Sequence, residues 1–301
     1  MTKHYTWPAK RRPCSLNVFL PLSIFRVKPG PLLRTLLVER IARACAIFRV
    51  STLVVINDLE DRRLEEFVIK VFRYILTPPY LRKRLFPLDE DLRYVGLLSP
   101  LAIPTHLRAD ERHRKLRLGY VVSRGRRWIL IDVGLERPCR ADYITSNSAK
   151  DDLVWVEVLD PSIPTCRVVD KREVDLYNGF ILRTCSWKTF LDVVNELCSN
   201  ALLIEFTKEG DVITSRSRTI IDFLSKSRTI CTFFGSSEKD FNELLREQGM
   251  ELSSLASNLG STLLKLNTAP MQGVRTIRTE EALYISLALL NAVLYDAGIC
   301  T

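Results

Sequence analysis

The chain has 301 residues, of which 47% are hydrophobic and 26% are charged, and its formal net charge is +9. This composition is typical of a globular protein and excludes a disordered, collagen-like or disulfide-scaffold chain. The longest apolar stretch, 283–295, is shorter than the roughly 20 residues of a membrane span and contains Ser286 and Asn291. No signal-peptide pattern is visible at the N-terminus. We therefore expect a cytoplasmic protein that does not bind a membrane.

The positive charge is concentrated in two segments. Residues 1–50 contain ten Lys and Arg against one acid, and residues 101–150 contain eleven against five. A basic excess confined to two segments is typical of a surface that binds phosphate, as in nucleic-acid-binding proteins. The alternative is a basic surface that only keeps the protein soluble.

The eight cysteines and three histidines form no metal-binding pattern. No two cysteines have the spacing of a zinc site, and most lie between apolar residues, as buried thiols in a reducing compartment do. We therefore expect no metal. The sequence also lacks the glycine motifs of a Rossmann dinucleotide site and of a P-loop, the nucleophile elbow and the zinc-protease motif.

The first third of the chain predicts alternating helices and strands. An apolar run at 16–22 is followed by an amphipathic helix over 32–48, a buried strand at 53–56 and a second helix over 62–76. This order is typical of an α/β layer.

The middle third predicts a different structure. Short stretches with alternating polarity lie at 118–122, 127–133, 153–159 and 166–169, and Gly, Pro and Asn/Ser clusters separate them. Such a pattern without helices indicates a small antiparallel barrel or meander.

Helix and strand patterns alternate again after residue 179. The predicted helices are 190–197, 220–225 and 279–297, and the predicted strands are 201–206, 229–235 and 263–266. The simplest organisation is an α/β domain formed by 1–100 and 176–301, which a β-rich insertion over 101–175 interrupts.

Three of the predicted strands end in polar or glycine-containing loops, at 207–210, 235–237 and 267–270. Ligands of open α/β sheets bind beyond the carboxyl ends of the strands. These three loops are therefore the expected ligand pocket.

The least ordinary segment is 267–291, NTAPMQGVRTIRTEEALYISLALLN. Arg275 and Arg278 flank the end of a Pro- and Gly-containing loop just before a helix begins, which suits a bound anion. The alternative is a helix with two ordinary surface arginines.

This segment resembles the C-terminal motif of the SPOUT superfamily of RNA methyltransferases, in the archaeal and eukaryotic branch related to the rRNA uridine-N3 methyltransferase. Further matching pieces are VERIARACAIFRVSTLVVIND (38–58), PPYLRKRLFPLDEDLRYVGLLSPL (78–101) and FFGSSEKDF (233–241). The last of them lacks the Gly-Leu ending that is common in this family.

The resemblance implies an α/β fold in which a trefoil-knot methyltransferase domain is interrupted by an OB-like β-barrel. It also implies the cofactor S-adenosylmethionine, held largely by backbone groups of the knot loops. The residues that match these loops are Thr207, Lys208, Gly235, Ser236, Leu266, Asn267, Thr268, Gln272, Gly273 and Thr276.

By the same resemblance, Arg43 matches the substrate-side arginine of the first motif, and Arg275 and Arg278 are expected to contact phosphate or base. The implied reaction is methyl transfer to N3 of a uridine in structured RNA, most simply rRNA. SPOUT enzymes act as homodimers, so the apolar C-terminal helix is either an interface or a buried core helix. The proton acceptor stays open among Glu280, Glu281 and Asp240.

The basic insertion is expected to bind RNA. Its candidate phosphate contacts are Arg108, Arg112, Arg114, Lys115, Arg117, Arg124, Arg126 and Arg127. Tyr120 and Trp128 are nearby candidates for base stacking, although Trp128 opens an apolar strand and is expected in the core. Two other functions stay open: a non-catalytic RNA-binding ribosome-assembly factor, and the same enzyme class acting on pseudouridine or a ribose 2'-hydroxyl.

Overall fold

The computed structural model describes residues 6–107, 111, 113–142, 152–160, 164–236 and 238–299. Its contacts divide the chain into two compact units. The barrel unit comprises Met1–Arg11, Tyr74–Glu90 and Pro100–Asn178, and the sheet unit comprises Arg12–Arg73, Asp91–Ser99 and Gly179–Thr301. Among the described residues, no helix combines the length and the apolar composition that crossing a membrane requires.

The sheet unit contains a six-stranded sheet in which every neighbouring pair of strands is parallel. The strands are β1 (Ser15–Pro21), β2 (Thr52–Asn57), β8 (Ile181–Ser186), β9 (Leu202–Val212), β10 (Thr229–Phe234) and β11 (Thr262–Asn267). Their spatial order is β11-β9-β10-β1-β2-β8. The central strands β1 and β2 are buried almost throughout because helices cover both faces of such a sheet.

Helices connect the parallel strands, as crossover connections require. Phenylalanines dominate one core beside the sheet, where the rings of Phe19 and Phe233 stack with their centroids 4.7 Å apart and Phe190 and Phe241 pack around them. The helices are α1 (Ser23–Arg26), α2 (Gly30–Ile47), α3 (Arg62–Leu76), α4 (Pro79–Leu85), α5 (Trp187–Cys198), α6 (Ser217–Leu224), α7 (Phe241–Arg246), α8 (Leu252–Asn258) and α9 (Thr279–Asp296).

Strand β9 makes an irregular pairing with β11. Lys265 pairs with Glu205, but the next residue, Leu266, pairs with Asp211, so residues 206–210 bulge out of this ladder. Gly210 permits the close approach, because a Cβ there would lie 2.5 Å from the backbone nitrogen of Leu266. The bulged residues are thereby placed beside the carboxyl end of β11.

The barrel unit contains a closed five-stranded barrel. Its strands are β3 (Leu116–Arg124), β4 (Trp128–Asp132), β5 (Cys139–Asp142), β6 (Leu153–Asp160) and β7 (Thr165–Val169). Around the barrel their order is β3-β4-β5-β7-β6, and all neighbours are antiparallel except β5 and β7, which are parallel. Alternate residues face the apolar interior, as Ile129 and Ile131 of β4 do.

The mixed α/β fold with a separate small barrel confirms the broad prediction of fold class. The sequence patterns did not predict strands β5 and β8 or helices α4, α7 and α8. Strand β5 has four residues, two of them charged, and β8 is a half-exposed edge strand, so neither has a strong apolar pattern. The division of the chain at residues 101 and 176 stays a prediction.

Most of the described cysteines are free and buried, and they are Cys45, Cys139, Cys166, Cys185, Cys198 and Cys231. Cys14 differs from them because it is disulfide-bonded. Within the described ranges no cluster of three or more His, Cys, Asp or Glu side chains could hold a metal ion.

Candidate functional site

A cleft lies beside the bulge of β9 and the carboxyl ends of β10 and β11. It is lined by the bulged segment of β9 (the first loop), by the loops that follow β10 and β11 (the second and third loops), and by the first turns of α9. The sequence predicted that β9 ends at residue 206, but the strand continues to Val212 beyond the bulge. Gly273 lies in the third loop but does not line the cleft. The predicted cofactor residues that do line it are Thr207, Lys208, Gly235, Ser236, Leu266, Asn267, Thr268, Gln272 and Thr276.

Asn267 joins the first loop to the third. Its Nδ2 donates to the carbonyl oxygen of Lys208 over 2.8 Å, and its Oδ1 accepts from the backbone nitrogen of Ala269 over 2.9 Å. The second bond spans two residues, as in the local turns that asparagine side chains stabilise. One side chain therefore fixes both the bulged segment of β9 and the turn after β11.

The second loop is attached to the start of α9. The hydroxyl of Thr279 donates to the carbonyl oxygen of Gly235 over 3.0 Å. The backbone nitrogen of Ser236 donates to the carbonyl oxygen of Lys239 over 2.9 Å. A Cβ at Gly235 would overlap the Lys239 carbonyl oxygen and lie 2.7 Å from Cα of Asp240. The loop can therefore close on itself only with glycine at position 235.

A buried hydroxyl pair connects the third loop to α9. Thr268 Oγ1 and Ser286 Oγ are 2.8 Å apart, and Ser286 is fully buried although it also borders the cleft. Sequence reasoning missed both Thr279 and Ser286. A serine in the middle of an apolar helix is the signal that could have identified the second of them, since buried hydroxyls need partners.

The cleft has an apolar floor and a charged rim. The rings of Phe206 and Phe234 lie 5.0 Å apart on its lining, together with Leu266, while Lys208 and Glu238 are exposed at its edge. Apolar walls with a few placed polar groups are typical of a small-molecule site.

The model of the family described as "Putative RNA methyltransferase" matches residues 15–290, which include every lining residue of the cleft. The chain belongs to this family. A 28S rRNA (uridine-N(3))-methyltransferase from Homo sapiens is 33% identical and covers 95% of this chain and 80% of its own length. The protein of the same name from Mus musculus is 30% identical, and the match covers 95% of this chain and 78% of that protein's length. Among solved structures, an RNA 2'-O ribose methyltransferase covers 98% of this chain and 63% of its own, with a TM-score of 0.35 and 8% identity.

The three arginines predicted at the reaction centre of this methyltransferase occupy different places. Arg275 lines the cleft and is exposed. Arg278 stands just before α9 and does not line the cleft; its backbone nitrogen donates to Glu281 Oε2 over 3.0 Å. Arg43 lies on α2, away from the cleft lining. Burial raises the pKa of the neighbouring Glu39, and the charge of Arg43 opposes this shift.

Two of the three candidate proton acceptors have structural roles in the methyltransferase fold. Asp240 caps α7 by accepting from the backbone nitrogen of Glu243 over 2.8 Å, and Glu281 caps α9. Glu280 is 5% exposed, does not line the cleft, and has its Oε1 3.3 Å from Nζ of Lys28. Of the three, only Asp240 lines the cleft, and its Oδ1 is used in the cap of α7.

The candidate RNA contacts of the barrel unit differ in how accessible they are to RNA. Arg108 and Arg112 lie outside the described residues. Arg117 is only 4% exposed, because its guanidinium donates to the carbonyl oxygens of Val133 and Arg114 inside the unit, so it is not accessible to RNA. Arg114 is half-buried and donates to a backbone carbonyl. The exposed basic candidates are Lys115, Arg124, Arg126 and Arg127.

Trp128 is not part of the barrel core, which corrects the sequence-based expectation. Along β4 its neighbours Ile129 and Ile131 are buried in the interior, and alternation places Trp128 on the outer face, where it is half-buried. The apolar character of the strand predicted the strand itself but not which face the indole occupies.

Proposed function

We propose that this methyltransferase transfers a methyl group from S-adenosylmethionine to N3 of a uridine in rRNA, within the cleft at the ends of β9, β10 and β11. The observation that carries the proposal is the convergence of three loops, far apart in sequence, on one cleft lined by nine of the ten residues that the SPOUT resemblance implies. The relatives named as 28S rRNA (uridine-N(3))-methyltransferases support the substrate.

The residues of the cleft fit this cofactor. The aromatic and aliphatic floor suits a flat base, while Lys208 and Glu238 suit the carboxylate and the cationic groups of a methionine moiety. When bound, the cofactor supplies an electrophilic methyl group on a positively charged sulfur.

The chain's own residues would make the uridine nitrogen a nucleophile. The N3–H bond must break before the nitrogen forms its bond to the methyl carbon, and the negative charge then spreads to the uracil oxygens. Arg275 is exposed on the cleft lining and would stabilise that charge. Glu209 and Glu238 are exposed carboxylates of the lining that cap no helix, and one of them would accept the proton.

The same proposal includes a trefoil knot formed by the three cleft loops, an OB-type barrel and a homodimer. The register shift that releases residues 206–210 and the closed five-stranded barrel support the first two parts. In the dimer, Arg43 and Arg278 of one subunit would face the RNA bound at the partner's cleft, which agrees with their absence from the lining of the cleft in their own chain. A cytoplasmic location stays a prediction.

The test is a methyl-transfer assay with isotopically labelled S-adenosylmethionine and transcribed rRNA, followed by reverse transcription. Methylation at N3 blocks the pairing edge of uracil, so we expect incorporated label together with a stop at one uridine. Label without a stop would indicate transfer to a ribose hydroxyl. Cofactor binding without any transfer to RNA would favour the non-catalytic assembly factor, and no binding at all would refute the proposed function.

A further inference from the structure

The β3–β4 hairpin of the barrel combines an indole ring with a run of arginines. Trp128 begins β4 on the outer face, and Arg124, Arg126 and Arg127 precede it in the chain. Arg140, on the neighbouring strand β5, has its guanidinium carbon 5.7 Å from the centre of the indole ring. The arginines are exposed and the indole is half-buried, and all of these groups lie in one compact unit.

The hairpin backbone holds the indole ring in place. The backbone nitrogen of Gly125 donates to the carbonyl oxygen of Trp128 over 2.8 Å, and a Cβ at Gly125 would lie 2.6 Å from Nε1 of the indole. Only glycine lets the ring lie this close to the turn. At 5.7 Å from the ring centre, the guanidinium carbon of Arg140 lies within the roughly 6 Å of a cation–π contact and adds positive charge beside the indole.

The charge around the ring is positive. Within the described residues, Arg126 and Arg127 form no ion pair, while Arg124 faces Asp152 at 3.6 Å and Arg140 faces Asp142 at 3.7 Å. A half-buried indole on the outer face of the barrel, beside two exposed arginines without ion pairs, matches an unpaired nucleotide, whose base stacks on the ring while its phosphates contact the cations. A base inside a duplex is already stacked and cannot reach the ring.

We propose that the hairpin patch, defined as Arg124, Arg126, Arg127, Trp128 and Arg140, binds an unpaired nucleotide of the RNA substrate by stacking its base on Trp128. This inference rests on the proposed function, because it assigns the barrel the task of recognising a single-stranded segment of the same RNA. The stacking is tolerant of sequence, so the patch selects unpaired structure rather than a particular base.

The test measures binding of a short oligouridine and of a matched RNA duplex to the full chain. Trp128→Ala should weaken oligouridine binding by about 5- to 150-fold, the range measured for a single stacked base, and Trp128→Phe should restore most of it. The double variant Arg126→Ala/Arg127→Ala should reduce the slope of log K against log salt by about 1.4, whereas Trp128→Ala should leave the slope unchanged. Arg172→Ala is the matched control, since Arg172 is an exposed arginine of the same unit that pairs with Asp170.

Unchanged oligouridine binding in a folded Trp128→Ala variant would overturn the inference, as would equal binding of the duplex. Calorimetry with S-adenosylmethionine on the same variants separates this failure from failure of the proposed function. The hairpin variants should bind the cofactor as the unmodified chain does. If the cofactor binds and methyl transfer proceeds while Trp128 has no effect on RNA binding, only the hairpin proposal is wrong.

Discussion

Replacement of Asn267 by alanine tests whether the cleft depends on the attachment of its loops to one another. The substitution removes the donor to the Lys208 carbonyl oxygen and the acceptor for the Ala269 nitrogen, which are 2.8 and 2.9 Å bonds. It leaves the sheet untouched, because β11 ends at this residue. The first and third loops would then lose the one side chain that joins them across 59 residues of sequence.

The size of the effect follows from the two bonds. Each intramolecular hydrogen bond contributes about 1 kcal/mol net, and one of these two is exposed while the other is part-buried, so the pair contributes about 2 kcal/mol. Without these bonds, S-adenosylmethionine must order the loops when it binds, and this cost of about 2 kcal/mol raises its dissociation constant about 30-fold. Asn267→Asp keeps the acceptor for Ala269 but places a carboxylate oxygen against the Lys208 carbonyl oxygen, so its effect should be at least as large as that of Asn267→Ala.

Calorimetric titration with S-adenosylmethionine measures this change directly. Asn195→Ala is the matched control, because Asn195 is an exposed asparagine of α5 that does not line the cleft. Thermal unfolding of each variant establishes that it is folded. A folded Asn267→Ala variant whose dissociation constant stays within about two-fold of the original would refute the reasoning that these bonds shape the cofactor site.

Three further predictions concern stability and the substrate side. Gly210→Ala should lower the melting temperature and abolish cofactor binding, because its Cβ meets the backbone of Leu266, whereas Gly96→Ala has open space and should be neutral in both measurements. Arg43→Ala should reduce methyl transfer by about 100-fold or more while the calorimetric affinity for the cofactor stays unchanged. Burial lowers the pKa of His106 to about 4 from 6.5, so His106 stabilises the native state above pH 6.5 and this stability is lost as the pH falls toward 4. The loss is about 3 kcal/mol in urea unfolding curves, and His106→Gln should remove that part of the pH dependence.

The elements with strong apolar periodicity could be predicted from the sequence. Helix α3 lies where the pattern predicted it, β2 is one residue longer than predicted at each end, and β10 ends one residue earlier than predicted. These elements bury a continuous apolar face, so burial and local pattern give the same answer. Strand β5 was missed because it is stabilised by its barrel neighbours rather than by its own composition.

The path of β9 could not be predicted, because a non-local contact decides it. The apolar pattern ends at Phe206, which predicted a strand end, but the strand continues to Val212 after a bulge that pairing with β11 imposes. Likewise, the outward position of Trp128 depends on which face of β4 the barrel encloses. In both cases the feature depends on pairing with strands that are distant in sequence, and the local composition does not indicate that pairing.

The structure also changes which residues can distinguish an enzyme from a non-catalytic relative. Asn267, Thr268 and Gln272 fit the cofactor motif, but their side chains bond to Lys208, Ser286 and the carbonyl oxygen of Val274, respectively. A protein that had lost its activity would still need these bonds to keep the loops in place, so their presence argues for the fold rather than for catalysis. Arg275 lies on the same lining and caps no helix, and the described residues provide it with no ion pair. Arg275→Ala should therefore leave the melting temperature unchanged and reduce methyl transfer. This result would distinguish an active enzyme from a protein that has kept only the fold.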